Sequence, residues 1–133
     1  MSGRTAYLDT SAFLKLVVSE EETAALRAFL IRWPERMSAS LLRVEAVRAL
    51  RRSGYDALVG DARRLLRSLR LIHLDEPLLD RAAELRPREL RSLDAVHLAA
   101  ALTVGSDLGI LVTYDSRLAA AARQSGIDVD SPR

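Results

Sequence analysis

Apolar residues along this chain of 133 residues fall into short runs that alternate with longer stretches of helical spacing. Ala6–Leu8 reads as a short strand ending at Asp9, after which Thr10-Ser11 is expected to cap a helix to about Val18. Glu20–Glu22 open a second helix that reaches Ile31 and stops near Trp33-Pro34. Met37–Ala39 reads as a second strand. Ser40 is then expected to cap a helix carrying Leu41, Leu42, Val44, Val47 and Leu50, closed by Ser53-Gly54. Tyr55–Leu69 is amphipathic, with Leu58, Val59, Ala62, Leu65, Leu66 and Leu69 at helical spacing. Leu71–Leu74 is the third strand candidate. Asp75 with Pro77 starts the next helix, which Pro87 interrupts. Ser92 is expected to cap Leu93–Val104, with a loop bracketed by Gly105 and Gly109. Ile110–Tyr114 is the best strand in the chain. Asp115 and the helix Ser116–Gln124 follow, and Ser125-Gly126 turns into a last short strand, Ile127–Val129.

Strands that alternate with helices imply an α/β fold, with a mostly parallel sheet and helices on both faces. The length is that of a single domain, here taken as 1–133, and no repeat or low-complexity tract divides it. With 49% hydrophobic residues and a mean hydropathy of +0.03, the composition is that of a globular protein. No apolar run reaches the roughly 18 residues of a membrane span. The beginning MSGRTAYLDT has no apolar signal core, so export is not expected and a cytoplasmic location fits best. The absence of cysteine excludes disulfides, thiolate zinc sites and cysteine nucleophiles.

Charge adds one piece of information. Lys15 is the only lysine among 20 basic residues, set against 18 acids. Arginine contacts phosphate and carboxylate in bidentate fashion. With a pI near 9.5, the excess of arginine is compatible with a nucleic-acid partner and equally with a GC-rich genome. Aromatic residues make up 5% of the chain, too few for the stacking platforms of single-strand binders.

Most acids sit among arginines, where they read as solvated surface. Four do not: Asp9 in AYLDTSAFLKL, Glu45 in SASLLRVEAVRAL, Asp94 in LRSLDAVHLAAAL and Asp115 in ILVTYDSRLAAAA. Asp9 and Asp115 end predicted strands, which in a parallel sheet places them on the edge where sites form. Glu45 and Asp94 lie on the first turns of helices able to approach that edge. Gathered carboxylates repel one another unless a cation neutralises them, and an oxygen-only cluster suits Mg²⁺ or Mn²⁺. Each acid also has an ordinary use. Asp9 and Asp115 are plausible helix N-caps, a role that contributes about 1 kcal/mol. Glu45 has Arg48 at i+3 as a surface partner, and Asp94 faces a helix macrodipole. His97, one turn beyond Asp94, reads as a core or supporting residue outside the ligand set. Ser11 and Thr113 stand beside two acids, able to orient a carboxylate or phosphate, or simply to cap and pack. Lys15, one turn beyond Ser11, faces phosphate or solvent.

Together, YLDTSAFLKL, the helix with Glu45, LRSLDAVHLAAAL and LVTYDSRLAAAARQSGIDV resemble, in that order and over residues 4 to 130, the PIN domain, and in particular the VapC-type toxins of bacterial toxin–antitoxin pairs. The resemblance implies a PIN-like α/β/α sandwich. Asp9, Glu45 and Asp94 match the three most characteristic acids of that family and Asp115 the more variable fourth, while Ser11 and Thr113 match its supporting hydroxyls. It further implies a metal-dependent endoribonuclease that cleaves RNA by metal-activated water, homodimers, and inhibition by a small cognate antitoxin. In the expected mechanism Asp9 and Asp94 hold Mg²⁺ or Mn²⁺, with Glu45 and Asp115 adding a ligand, a water-mediated contact or a second metal.

Two other acid-bearing α/β families fail on single positions. A phosphoryl-accepting receiver needs a lysine late in the chain, whereas the only lysine is Lys15. A haloacid-dehalogenase-type phosphatase needs an aspartate two residues after the first, and position 11 is Ser11. The alternative from a different class is a catalytically silent PIN-like module that binds RNA or protein; intact acids at all four positions argue against it.

Overall fold

The computed structural model describes residues 3–133. Five parallel strands, β1 (Thr5–Leu8), β2 (Glu35–Ala39), β3 (Arg70–Ile72), β4 (Leu108–Val112) and β5 (Val129–Asp130), form one sheet in the order β3-β2-β1-β4-β5. All its pairings are parallel, including β1 with β2 (Tyr7 opposite Met37) and β1 with β4 (Leu8 opposite Val112). Seven α-helices cover it: α1 (Thr10–Val17), α2 (Thr23–Leu30), α3 (Leu42–Arg52), α4 (Val59–Arg67), α5 (Glu76–Glu84), α6 (Ser92–Thr103) and α7 (Ser116–Gln124). The parallel sheet with helices on both faces expected from the alternation, and the α/β/α sandwich implied by the resemblance, are present.

Because side chains alternate across a strand, β1 feeds two cores. Ala6 and Leu8 pack with Phe13, Leu26, Leu42, Leu50 and Leu66 under α1–α4. Tyr7 points the other way and packs with Leu78, Leu98, Leu111 and Leu118 under α5–α7. With both faces covered, β1 is fully buried over its length, as a central parallel strand should be.

The chain builds outward from β1 to β2 and β3, then returns to add β4 and β5 on the other side. Two connections therefore leave the carboxyl edges of the adjacent strands β1 and β4 in opposite directions. That crevice is where ligands bind in open parallel sheets.

Element boundaries differ from the sequence pattern in instructive places. Tyr55–Leu69 is a single 3₁₀ turn, Asp56–Leu58, leading into α4, not one continuous helix. Gly109 lies inside β4, not at the end of a loop. A Cβ there would stand 2.3 Å from the Trp33 ring, so only glycine admits this close approach. The expected serine caps are also displaced. α3 starts after Leu41 and α6 after Arg91, neither with a side-chain cap, and α1 is capped by Asp9, not by Thr10 or Ser11. Asp75 and Asp115 do cap α5 and α7. No helix among the described residues is long and apolar enough to cross a membrane.

Candidate active site

Asp9 leaves β1 buried, with 4% of its surface exposed. A buried carboxylate must find donors, and this one finds three. Its Oδ1 accepts from the backbone N–H of Ala12 at 2.9 Å and from the Ser11 hydroxyl at 2.7 Å. Its Oδ2 accepts from the Thr113 hydroxyl at 2.5 Å. The capping role and a role at the pocket are therefore compatible in one side chain. Burial pushes the Asp9 carboxyl above its ordinary range, opposed by the hydrogen bonds from Thr113, Ala12 and Ser11 and by His97.

Ser11 and Thr113 stitch the two outgoing connections together. Ser11 accepts from the backbone N–H of Tyr114 at 2.9 Å, and Thr113 accepts from that of Asp115 at 3.0 Å. Each hydroxyl thus passes the position of the β4 connection to the Asp9 carboxylate. Asp115 then caps α7, its Oδ1 accepting from the N–H groups of Arg117 at 2.8 Å and Leu118 at 3.0 Å. That leaves Oδ2 free for other partners.

Glu45 does not pair with Arg48. Its Oε1 accepts from the Thr10 hydroxyl at 2.6 Å and contacts His97 Nε2 at 2.7 Å. Burial would raise this carboxyl, but the hydrogen bonds from His97 and Thr10 hold it below its ordinary range. Asp94 projects from the first turn of α6, a helix otherwise buried through Leu98, Ala99, Ala100 and Ala101. Burial raises the Asp94 carboxyl, and the charges of Asp115, Asp9 and Glu45 push the same way, with His97 opposing. Mutual repulsion among the four acids is thus directly felt at Asp94.

All four acids line one cavity of about 480 Å³, together with Thr10, Ser11 and His97. Its walls carry Leu14, Leu41, Val44 and Leu93 with Arg48 and Arg52. Val44 and Leu93 are half exposed at the rim. By contrast, a cavity of about 610 Å³ beside α5 and α6 has Glu84 as its sole acid, next to Arg86 and Arg88. Acidic side chains are concentrated at the edge of β1 and β4.

The donors are oxygens of the kind that hard divalent cations take. Among the described residues no group of three or more His, Asp or Glu side chains is already closed around a metal position.

Two contributors, Thr10 and Tyr7, escape the sequence reading. Thr10 reads there as part of a helix cap, yet it binds Glu45. Tyr7 reads as strand core, yet its hydroxyl reaches His97 Nδ1 at 2.7 Å. His97 reads as a core or supporting residue, and the structure adds its partner, Glu45. The only available signal was position, since Thr10 follows Asp9 and His97 lies one helical turn after Asp94. Lys15 is not a free solvent-exposed side chain. Its ammonium contacts Glu22 at 3.0 Å and Glu20 at 3.4 Å and lies 4.8 Å from the centre of the Tyr114 ring.

The sequence matches the family profile described as PIN domain over residues 6–124. It is 47% identical over 126 residues to Ribonuclease VapC46 of Mycobacterium tuberculosis, covering 95% of this chain and 96% of that one. It is 41% identical over 130 residues to Ribonuclease VapC47 of the same species, with the same shares covered. The fold is similar to that of the sarcin–ricin-loop-cleaving toxin VapC20 of M. tuberculosis, with a TM-score of 0.73 and 20% identity over 87% of this chain and 94% of the other. It is also similar to a chain from a toxin–antitoxin complex of Klebsiella pneumoniae, with a TM-score of 0.72 and 21% identity over 96% and 98%. With nearly its full length aligned to ribonucleases at such identity, this chain belongs to the PIN-domain family, among the VapC ribonucleases.

Proposed function

We propose that this protein is the toxin of a toxin–antitoxin pair, a single PIN domain acting as a metal-dependent endoribonuclease. The observation that carries the reading is the convergence of Asp9, Glu45, Asp94 and Asp115 on one cavity at the carboxyl edge of β1 and β4, in a chain closely related to named ribonucleases.

Asp9 and Asp94 are the residues assigned to hold Mg²⁺ or Mn²⁺. Glu45 and Asp115 add a further ligand or a water-mediated contact. A divalent cation there supplies Lewis acidity, lowering the pKa of water and stabilising charge that develops on the phosphate. Ser11 and Thr113 fix the Asp9 carboxylate, so little reorganisation is needed when a phosphodiester enters. Glu45, ionised and facing the cavity, is placed to orient the attacking water or take its proton. Arg48 and Arg52 on the wall offer guanidinium groups to flanking phosphates. In-line attack by water leaves a 5′-phosphate and a 3′-hydroxyl, with no need of a cysteine or a histidine pair.

The assigned partners are RNA and a small cognate antitoxin, for which the apolar rim at Val44 and Leu93 provides a seat. A homodimer and a cytoplasmic location complete the assignment.

The deciding experiment incubates total cellular RNA with purified protein in Mg²⁺, Mn²⁺ or EDTA, beside Asp94→Asn purified identically. Discrete fragments that require metal and vanish in the variant support the nuclease. Fragments ending in 2′,3′-cyclic phosphate contradict the mechanism. RNA bound but intact in every lane, from protein shown by mass spectrometry to be free of antitoxin, favours a silent binding module.

A further inference from the structure

We propose that His97 is a positioning residue for Glu45, held as its Nε2–H tautomer by Tyr7, so that Glu45 presents a single free oxygen to the cavity. The inference rests on the ribonuclease reading of Glu45 and adds to it two residues that no resemblance assigns.

His97 is 2% exposed on an otherwise apolar stretch of α6. A buried imidazole is tolerated only when its nitrogens are both partnered. Here Nε2 lies 2.7 Å from Glu45 Oε1 and 3.2 Å from the Thr10 hydroxyl, while Nδ1 lies 2.7 Å from the Tyr7 hydroxyl.

Charge decides the direction of each bond. Glu45 Oε1 already accepts the Thr10 hydroxyl at 2.6 Å, and a carboxylate at neutral pH can only accept. The proton between Glu45 and His97 therefore belongs to Nε2. In a neutral imidazole Nδ1 is then the acceptor, and its donor is Tyr7. Tyr7 has no exposed surface, and its phenol O–H is a donor at 2.7 Å from Nδ1. The result is one directed chain, from the Tyr7 hydroxyl to Nδ1 and from Nε2–H to Glu45.

Two consequences follow for the site. His97 has no lone pair left for a cation, so it is a support and not a ligand. Glu45 Oε1 already takes two donors, Thr10 and His97, which leaves Oε2 as the oxygen with open acceptor capacity. The chain clamps β1, α6 and α3 at the point where Glu45 enters the cavity. Supporting bonds of this type typically change affinity or activity about 10–100-fold when removed.

The experiment uses the metal-free full chain and the metal-loaded enzyme. Nitrogen-15 NMR of the metal-free protein should show His97 as the Nε2–H tautomer, with Tyr7→Phe producing a mixture. His97→Gln, whose amide can donate from about the same place, should keep kcat within about fivefold of wild type. His97→Leu, with no donor, should lower kcat about 10–100-fold and leave KM within about twofold. If His97→Leu fails to fold, the pair Tyr7→Phe/His97→Leu removes both polar partners together and takes its place.

An Nδ1–H tautomer in the wild type overturns the proposal, as does wild-type kcat in a folded His97→Leu. So does an equal loss in His97→Gln and His97→Leu. If the tautomer is as stated but the wild type cuts no RNA with any metal, the ribonuclease reading itself has failed, and the role of His97 with it.

Discussion

Thr113 donates its hydroxyl proton to Asp9 Oδ2 at 2.5 Å, joining the carboxyl ends of β4 and β1 across 104 positions of sequence. Hydrogen bonds to charged groups contribute about 1.5–3 kcal/mol, and this one also restrains the Asp9 carboxyl against the upward push of burial. Thr113→Val should therefore lose stability of about that size in urea unfolding. It should also move the acid limb of the cleavage profile to higher pH, because Asp9 then ionises later.

Asp94→Asn should behave in the opposite way. Burial and the charges of Asp115, Asp9 and Glu45 raise the Asp94 carboxyl. A raised carboxyl contributes stability that is fully present below its unfolded pKa and is lost as pH rises through the folded one. At pH 7 the metal-free wild type thus carries the repulsion, and the variant does not. Thermal melts in EDTA should give Asp94→Asn an equal or higher Tm at pH 7. The difference should shrink as pH falls towards and through the ordinary carboxylate range, because the raised Asp94 carboxyl of the wild type is protonated there as well. Cleavage should be abolished throughout. A clear loss of stability at pH 7 would assign Asp94 a structural role.

Cation binding should reverse the same repulsion. Mg²⁺ or Mn²⁺ at about 100 times its Kd should stabilise the wild type by about 2.7 kcal/mol, read as a rise in Tm that EDTA removes. Asp9→Asn and Asp94→Asn should show little or none of this rise. An equal rise in these variants would place the cation elsewhere.

Asp115 allows capping and chemistry to be separated. Its Oδ1 caps α7 through Arg117 and Leu118, and asparagine caps about as well as aspartate. Asp115→Asn should keep wild-type stability and lose activity, whereas Asp115→Ala should lose about 1 kcal/mol in addition. Full activity in Asp115→Asn would reduce this residue to a cap.

The architecture was legible because strand and helix alternate cleanly, and Asp9 and Asp115 were legible because each ends an apolar strand. Their placement on one edge follows from topology alone, since parallel strands share a carboxyl end. Glu45 shows where local reading stops. Its nearest complement in sequence is Arg48, yet its partners are Thr10 and His97, 35 and 52 positions away. Which face of α3 meets α1 and α6 depends on how three helices pack over the sheet, and periodicity does not encode that. The serine caps failed for a related reason. Ser40 donates its backbone N–H to Ile72 at the edge of β3, so the chain there follows the sheet first and starts its helix one residue later.

The strand order has a bearing on how such a protein is made. β4 is inserted beside β1 only after nearly the whole sheet has been synthesised, and Thr113 and Asp115 follow it. A nascent chain emerging from the ribosome carries Asp9, Glu45 and then Asp94, but lacks the strand and the hydroxyl that hold Asp9 in place. The Asp9 end of the pocket therefore takes its final geometry only once β4 and Thr113 have been made.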